Sequence, residues 1–284
     1  FLDEAKRLKV EVLYNYSVKS ISARDNDFLM DTSQGILGCN KVVVATGSNP
    51  KIWKLLNDLG HTIVQPVPSL FTFDIKDKRI EAIPGVVAKN VEIKVIGTDL
   101  ESEGPLLITH VGMSAPAILK LSAFGAVELA KFNYNFKIEV NFIRLDFDTC
   151  LDKLREFKLE FAKKSLINST QFDLPKRLWK QLVLASSINE IERWADINKQ
   201  QLEILVEQLT KSVFQVVGKS TFKEEFVTAG GVDLKEVNFK TFESKRIPNL
   251  YFAGEVINVD AVTGGFNFQN AWTGAYIVSQ SISK

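Results

Sequence analysis

The chain has few of the residues that build metal centres or disulfide frameworks. Its 284 residues include two cysteines, Cys39 and Cys150, and two histidines, His61 and His110. The cysteines stand far apart and form no C-x-x-C pair, which argues against a redox-active dithiol and a disulfide scaffold and fits a reducing cytoplasm. With no H-E-x-x-H motif and no Cys/His cluster, no metal is expected. The net charge is +1, so charge makes no case for nucleic acid or an anionic membrane as a partner. A small-molecule substrate is the expectation that remains. No apolar run is long enough to cross a bilayer as a helix. The 45% hydrophobic and 24% charged fractions are those of a globular protein, with length enough for one large core or two to three smaller ones.

What is present concentrates near the C-terminus. Asn249 to Trp272 reads as a buried strand, Leu250 to Ala253, then Gly254 and the acid Glu255, then a loop through Thr263 to the pair Gly264-Gly265. An amphipathic helix opens at Phe266 and Asn267. A strand end, an acid and a helix N-terminus stripped of side chains suit a large polar cofactor. The acid accepts from sugar-type hydroxyls, and the Gly-Gly backbone lets a flat ring approach free N–H groups at the positive end of the helix dipole. Upstream, Lys41 to Val44 is a continuous β-branched strand run, and it ends in Ala45-Thr46-Gly47. Small residues there suit a ligand outside the carboxyl ends of a parallel sheet. They equally suit a chain that merely turns. Before this run, short strand signals at Val10 to Tyr14, Val18 to Ile21, Phe28 to Asp31 and Ile36 to Cys39, broken at Asp25-Asn26-Asp27 and Gly35, predict an antiparallel meander.

Five ordered segments carry a resemblance. They are V-V-V-A-T-G-S at 42–48, L-G-H-T-I-V-Q-P-V-P-S-L at 59–70, L-L-I-T-H-V-G-M-S-A-P-A-I-L-K-L-S at 106–122, F-V-T-A-G-G-V-D-L-K-E-V at 226–237, and Y-F-A-G-E-V with T-G-G-F-N-F-Q-N-A-W at 251–272. The chain resembles the BaiN/RdsA-like family of NAD(P)/FAD-dependent oxidoreductases, which includes aminoacetone oxidase-like flavoproteins. The resemblance implies an α/β fold with a Rossmann-like FAD-binding domain, interrupted by a β-rich and a helical subdomain. It implies FAD as cofactor and NAD(P)H as a transient co-substrate, with hydride passing through flavin N5 to an organic acceptor or oxygen. Ala45, Thr46, Gly47, Gly254, Glu255, Thr263, Gly264, Gly265, Phe266 and Asn267 are then the expected cofactor contacts. His110 is a weak candidate for catalysis, a structural role being the alternative.

One departure stands out. The Gly-rich G-x-G-x-x-G unit that holds the FAD pyrophosphate in that family is not found. The expectation is therefore a flavin domain incomplete at its N-terminus, which alone binds FAD weakly. The alternative function is a non-catalytic fragment or split subunit that needs a Gly-rich half to bind FAD.

The expected boundaries place the flavin domain at 1–65 and 222–284, the β-rich insert at 66–148 with 213–221, and the helical insert at 149–212. Within the inserts, Ser69 to Phe73, Val91 to Val95, Pro105 to Thr109, Lys137 to Ile143 and Val213 to Val217 read as strands. Ser114 reads as the N-cap of a helix with Ile118, Leu121, Phe124 and Val127 inward. Ser187-x-x-Glu190 reads as a capping box for a helix with Ile191, Trp194 and Ile197, and Asn198 as the cap of a helix through Leu209. Gly230-Gly231 reads as a turn, His61 as a packing residue and Trp272 as core.

Overall fold

The computed structural model describes residues 1–24, 27–220 and 227–283. Asp25 and Asn26, expected in a turn, and the expected boundary near 222 lie outside the described residues. The chain divides into two units. One comprises Phe1–Pro66, Gly230–Asp260 and Gly265–Lys284; the other comprises Val67–Ala229 and Ala261–Gly264.

The first unit opens with helix α1 (Leu2–Arg7) and the strands β1 (Val18–Arg24), β2 (Asp27–Thr32) and β3 (Gly35–Cys39), which pair as an antiparallel meander. No strand forms over Val10 to Tyr14. The Val10 amide bonds back to Ala5 instead, at 2.9 Å, and Val10, Val12, Leu13 and Tyr14 are exposed, so the run lacks the partner that an extended segment needs. Strand β4 (Val42–Val44) follows, then helix α2 (Pro50–Asp58) and strand β5 (Ile63–Ser69). Pro50 in the first turn and the Asn49 side chain, which accepts from the Lys51 amide, start α2 cleanly.

The second unit holds β6 (Thr72–Ile75), α3 (Lys78–Glu81), β7 (Val87–Val95), β8 (Glu101–Ile108), β9 (Gly112–Ser114), α4 (Pro116–Phe124), α5 (Ala126–Lys131), β10 (Phe136–Asn141), α6 (Phe147–Glu160), α7 (Lys176–Ala185), α8 (Lys199–Thr210) and β11 (Ser212–Ser220). Its strands close into a barrel in the order β10-β11-β6-β9-β8-β7, and closure leaves no sheet edge. Alternation explains the packing. Ile138 and Val140 on β10, Ile93 and Val95 on β7, and Phe214 and Val216 on β11 all turn inward. The core they begin runs without interruption through Leu154, Trp179, Trp194 and Leu205 of the helical part. The β-rich and helical stretches, expected as separate subdomains, thus share one core.

Local expectations fail here for identifiable reasons. Ser69 to Phe73 is not one strand, because Leu70 takes a φ of 56° and breaks it. Ser114 does not cap α4. Its hydroxyl is taken by Thr72 at 3.0 Å, and Ala115 (φ 79°) stands at the N-cap. Phe124 and Val127 point to solvent, since Gly125 separates α4 from α5. Ser187 to Arg193 forms turns rather than a helix, with Ser187 at φ 59° and Ile191 exposed; only a short 3-10 segment, Trp194–Asp196, follows. Asn198 does cap α8, accepting from the Gln201 amide.

The chain re-enters the first unit along β12 (Val227–Val232), followed by β13 (Val237–Asn238), β14 (Glu243–Ser244), β15 (Leu250–Phe252) and α9 (Phe266–Ile282). β12 pairs with β5, and a four-stranded sheet runs β13-β14-β15-β4. Gly230 and Gly231 are not a turn. They sit inside β12 at φ 124° and 121°, where a Cβ would lie 2.6 Å from the Pro66 Cα and 2.6 Å from the Val256 carbonyl oxygen. Close backbone approach requires glycine at both positions.

Candidate functional site

The two runs singled out in the sequence meet in the four-stranded sheet. β4 and β15 pair in parallel, with Val42 opposite Leu250 and Val44 opposite Phe252, and the Ala253 amide donates to the Val44 carbonyl at 3.0 Å. Val42, Val44 and all of β15 are buried, as continuous apolar strands of a parallel sheet are. Both strands end on the same side, so Ala45-Thr46-Gly47-Ser48 and Gly254-Glu255 leave the sheet as neighbours. The Ser48 hydroxyl lies 3.4 Å from the Glu255 Oε2, a weak bond that leaves the carboxylate acceptor capacity to spare. The Trp53 indole of α2 donates to the Val256 carbonyl at 2.8 Å and fixes the loop that follows.

Backbone conformation opens this edge. Gly47 (φ 64°) faces empty space where a Cβ would stand. At Gly254 (φ 77°) a Cβ would stand 3.8 Å from Ala271 of α9. Gly265, at φ 86°, starts α9 with no side-chain cap and open space beside its Cα. A 17-residue helix thus presents the positive end of its dipole without a side chain in front. Phe266 is exposed and Asn267 half-buried. Thr263 and Gly264 are also exposed, and they group with the second unit. The donor set fits a flavin-type group: a half-buried carboxylate for hydroxyls, and glycine-bared N–H groups for an electron-rich ring edge.

Trp272 is not core. It is 59% exposed and joins Phe268 and Tyr276, also exposed, at four-residue spacing on α9, with the Phe1 ring 5.8 Å away. His110 is exposed at the tight turn between β8 and β9, where the Thr109 hydroxyl accepts from the Gly112 amide at 3.1 Å.

Sequence reading missed a buried relay around His61. Its Nδ1 lies 2.8 Å from Glu236 Oε2. A carboxylate only accepts, so Nδ1 carries the proton and Nε2 accepts from the Ser244 hydroxyl at 3.1 Å. Ser244 Oγ in turn accepts from the Arg246 and Ile247 amides. Glu236 also accepts from the Thr62 amide at 3.1 Å and pairs with Arg246 at 2.7 Å. Burial lowers the His61 pKa, outweighing the pull of Glu236 in the other direction. Burial works to raise Glu236, but the bonds from Thr62, His61 and Arg246 prevail and hold it down at about 2. The His61 ring is buried edge-on against Phe252. No substrate reaches it, and the relay serves as a lock between β14, β15 and the start of β5. The only signal in the sequence was a histidine between a helix and a strand.

The thiols take no part. Cys150 is buried, which pushes its pKa up to about 12, and Cys39 is free. Among the described residues, no helix is long and apolar enough to cross a membrane.

The candidate site lies at the carboxyl ends of the parallel pair β4 and β15, the end at which open α/β sheets bind ligands. A ribosomal RNA dihydrouridine synthase of Escherichia coli is 28% identical over 99% of this chain and 70% of its own length. Its namesake in Haemophilus influenzae is 29% identical over 99% and 71%. A 3-dehydro-bile acid delta(4,6)-reductase of Clostridium scindens is 24% identical over 99% and 71%. The model of the HI0933-like protein Rossmann domain matches residues 1–281, and the chain belongs to that family.

Proposed function

We propose that the chain is an FAD-dependent oxidoreductase that passes a hydride between NAD(P)H, or a small organic donor, and an organic acceptor or oxygen. The observation that carries this reading is the joint edge of β4 and β15, where Ser48 and Glu255 meet beside glycines at positive φ. Bound there, FAD would supply the hydride chemistry at N5. The protein's part is to hold and polarise it. Glu255 accepts from ribityl hydroxyls. Gly47 and Gly265 leave room for close approach. The uncapped start of α9 sets backbone dipoles against negative charge on the ring edge, with Phe266 and Asn267 alongside.

The names of the relatives narrow the acceptor. Dihydrouridine is uridine with its ring carbon–carbon double bond saturated, and a delta(4,6)-reductase acts on carbon–carbon double bonds of a steroid. We therefore favour a double bond conjugated to a carbonyl as the group reduced. Its β-carbon takes hydride and its α-carbon a proton. With a Gly-rich FAD-binding unit joined to it, the chain should be yellow, and its absorbance should bleach with NADH or NADPH under anaerobic conditions. A colourless protein that takes up no FAD even with that unit present would refute the reading. Flavin uptake only with a Gly-rich half added as a second polypeptide would favour a split subunit.

A further inference from the structure

Trp53 sits in the core of the first unit at 4% exposure. Its indole N–H nevertheless reaches a residue 203 positions along the chain, the Val256 carbonyl at 2.8 Å. We propose that Trp53 is a positioning residue for the cofactor site: resting on the reading of Glu255 as the acceptor of ribityl hydroxyls, the indole fixes the backbone that decides where that carboxylate stands.

Two neighbouring residues are gripped from one helix start. Asn49 is the N-cap of α2, and its carbonyl accepts from the Trp53 amide at 3.0 Å, so Trp53 is locked to the first turn. Ser48, just before the cap, sets its hydroxyl 3.4 Å from Glu255 Oε2. One short stretch thus touches the Glu255 side chain through Ser48 and the Val256 backbone through Trp53. From β12, the Val232 amide donates to the same Val256 carbonyl at 3.0 Å, and the Asn258 amide donates to the Val232 carbonyl at 3.0 Å. Two donors occupy both lone pairs of the Val256 carbonyl. Ahead of Glu255, the Ala253 amide is tied to the Val44 carbonyl at 3.0 Å. Glu255 therefore hangs between fixed points at 253 and 256. Gly254, at φ 77°, has wide backbone freedom, so the hold on Glu255 has to come from the Val256 side.

Volume alone does not explain a tryptophan here. Phenylalanine or leucine would also fill a core position on α2, but neither carries a donor, and the Val256 carbonyl would lose one of its two partners. The Ser48 bond is no substitute. At 3.4 Å it steers one carboxylate oxygen weakly and leaves the backbone that carries the side chain untouched. What the indole contributes is direction. A carboxylate that receives hydroxyls works best when it stands in place before the ligand arrives. Buried as it is, Trp53 acts through the backbone next to Glu255 and not on the cofactor itself.

Two measurements test it. On the chain by itself, amide hydrogen exchange is followed at Val232, Ala253 and Asn258 in the parent and in Trp53→Phe, which keeps a ring in the core and removes the donor. Exchange at Val232 and Asn258 should quicken about tenfold while Ala253 stays within about twofold. An equal change at all three, or none, overturns the hold. With a Gly-rich FAD-binding unit joined to the chain, FAD affinity is then measured in Trp53→Phe, Glu255→Ala and the double variant. Leu56→Val, at another buried position of α2, is the control, and melting temperature is recorded for each. Glu255→Ala should weaken FAD binding about tenfold and Trp53→Phe about threefold. In the Glu255→Ala background the loss from Trp53→Phe should vanish, because nothing is left to position, and Leu56→Val should cost less than about twofold in either background. The same loss from Trp53→Phe with and without Glu255 would make the tryptophan merely structural and overturn the proposal. FAD affinity unchanged by Glu255→Ala would break the reading of Glu255 itself, and the proposal with it.

Discussion

Two glycine pairs look alike in the sequence and do opposite things in the structure. Gly230 and Gly231 lie inside β12 with backbone atoms 2.6 Å from where a Cβ would stand. Gly264 and Gly265 precede α9, and Gly265 has nothing within 4 Å of that point. All four sit at positive φ. The first pair is glycine because neighbouring backbone already fills the space; Gly265 of the second leaves its space vacant. Crowding explains a structural glycine completely. Vacancy leaves room for a ligand, and at Gly265 that room adds to the joint edge of β4 and β15 that carries the cofactor reading.

Substitution should separate the pairs. Gly231→Ala has the largest expected effect on stability, about 2–5 kcal/mol, because it combines overpacking against immovable backbone with a strained φ. A melting curve checks it, and a loss under 1 kcal/mol would deny the close approach. Gly265→Val should cost less stability yet reduce flavin affinity at least tenfold, since a β-branched side chain fills the opening. Flavin fluorescence during titration measures this.

The His61 lock gives an intermediate effect with a definite pH sign. His61 and Glu236 both have folded pKa values below their ordinary ones. The unfolded chain therefore binds more protons than the folded one on acidification. Stability from His61 should be intact above about pH 6.5 and fall as pH drops through its lowered folded value, and that from Glu236 should fall between about 4.5 and 2. His61→Gln should lower stability at pH 7 and flatten the decline below 6.5. An unchanged slope in urea melts across that range would show that the pair does not couple to folding. The smallest effect is expected from Glu255→Gln. The amide keeps an acceptor oxygen, so flavin affinity should change less than threefold.

What the sequence made legible was whatever depends on contiguous residues. β4 and β15 announce themselves as unbroken apolar runs, and Asn198 caps α8 because its partner amide is three residues away. Long-range competition was not legible. Ser114 has the chemistry of a cap, yet Thr72, 42 residues distant, takes its hydroxyl. His61 finds Glu236 and Ser244 across more than 170 residues. Val10 to Tyr14 alternates like a strand and finds no partner. Of the candidate site, the residue types and their order were readable from the sequence. That Ser48 meets Glu255, and that Gly265 faces open space while Gly231 does not, required coordinates.

The most direct test of the central claim compares Gly265→Val with Gly231→Ala in one FAD titration, with thermal melting recorded in parallel. A crossing is expected: Gly265→Val loses the more flavin affinity and the less stability, and Gly231→Ala the reverse. If flavin affinity instead falls in proportion to stability in both variants, or is untouched by Gly265→Val, the opening at α9 is not where the flavin sits.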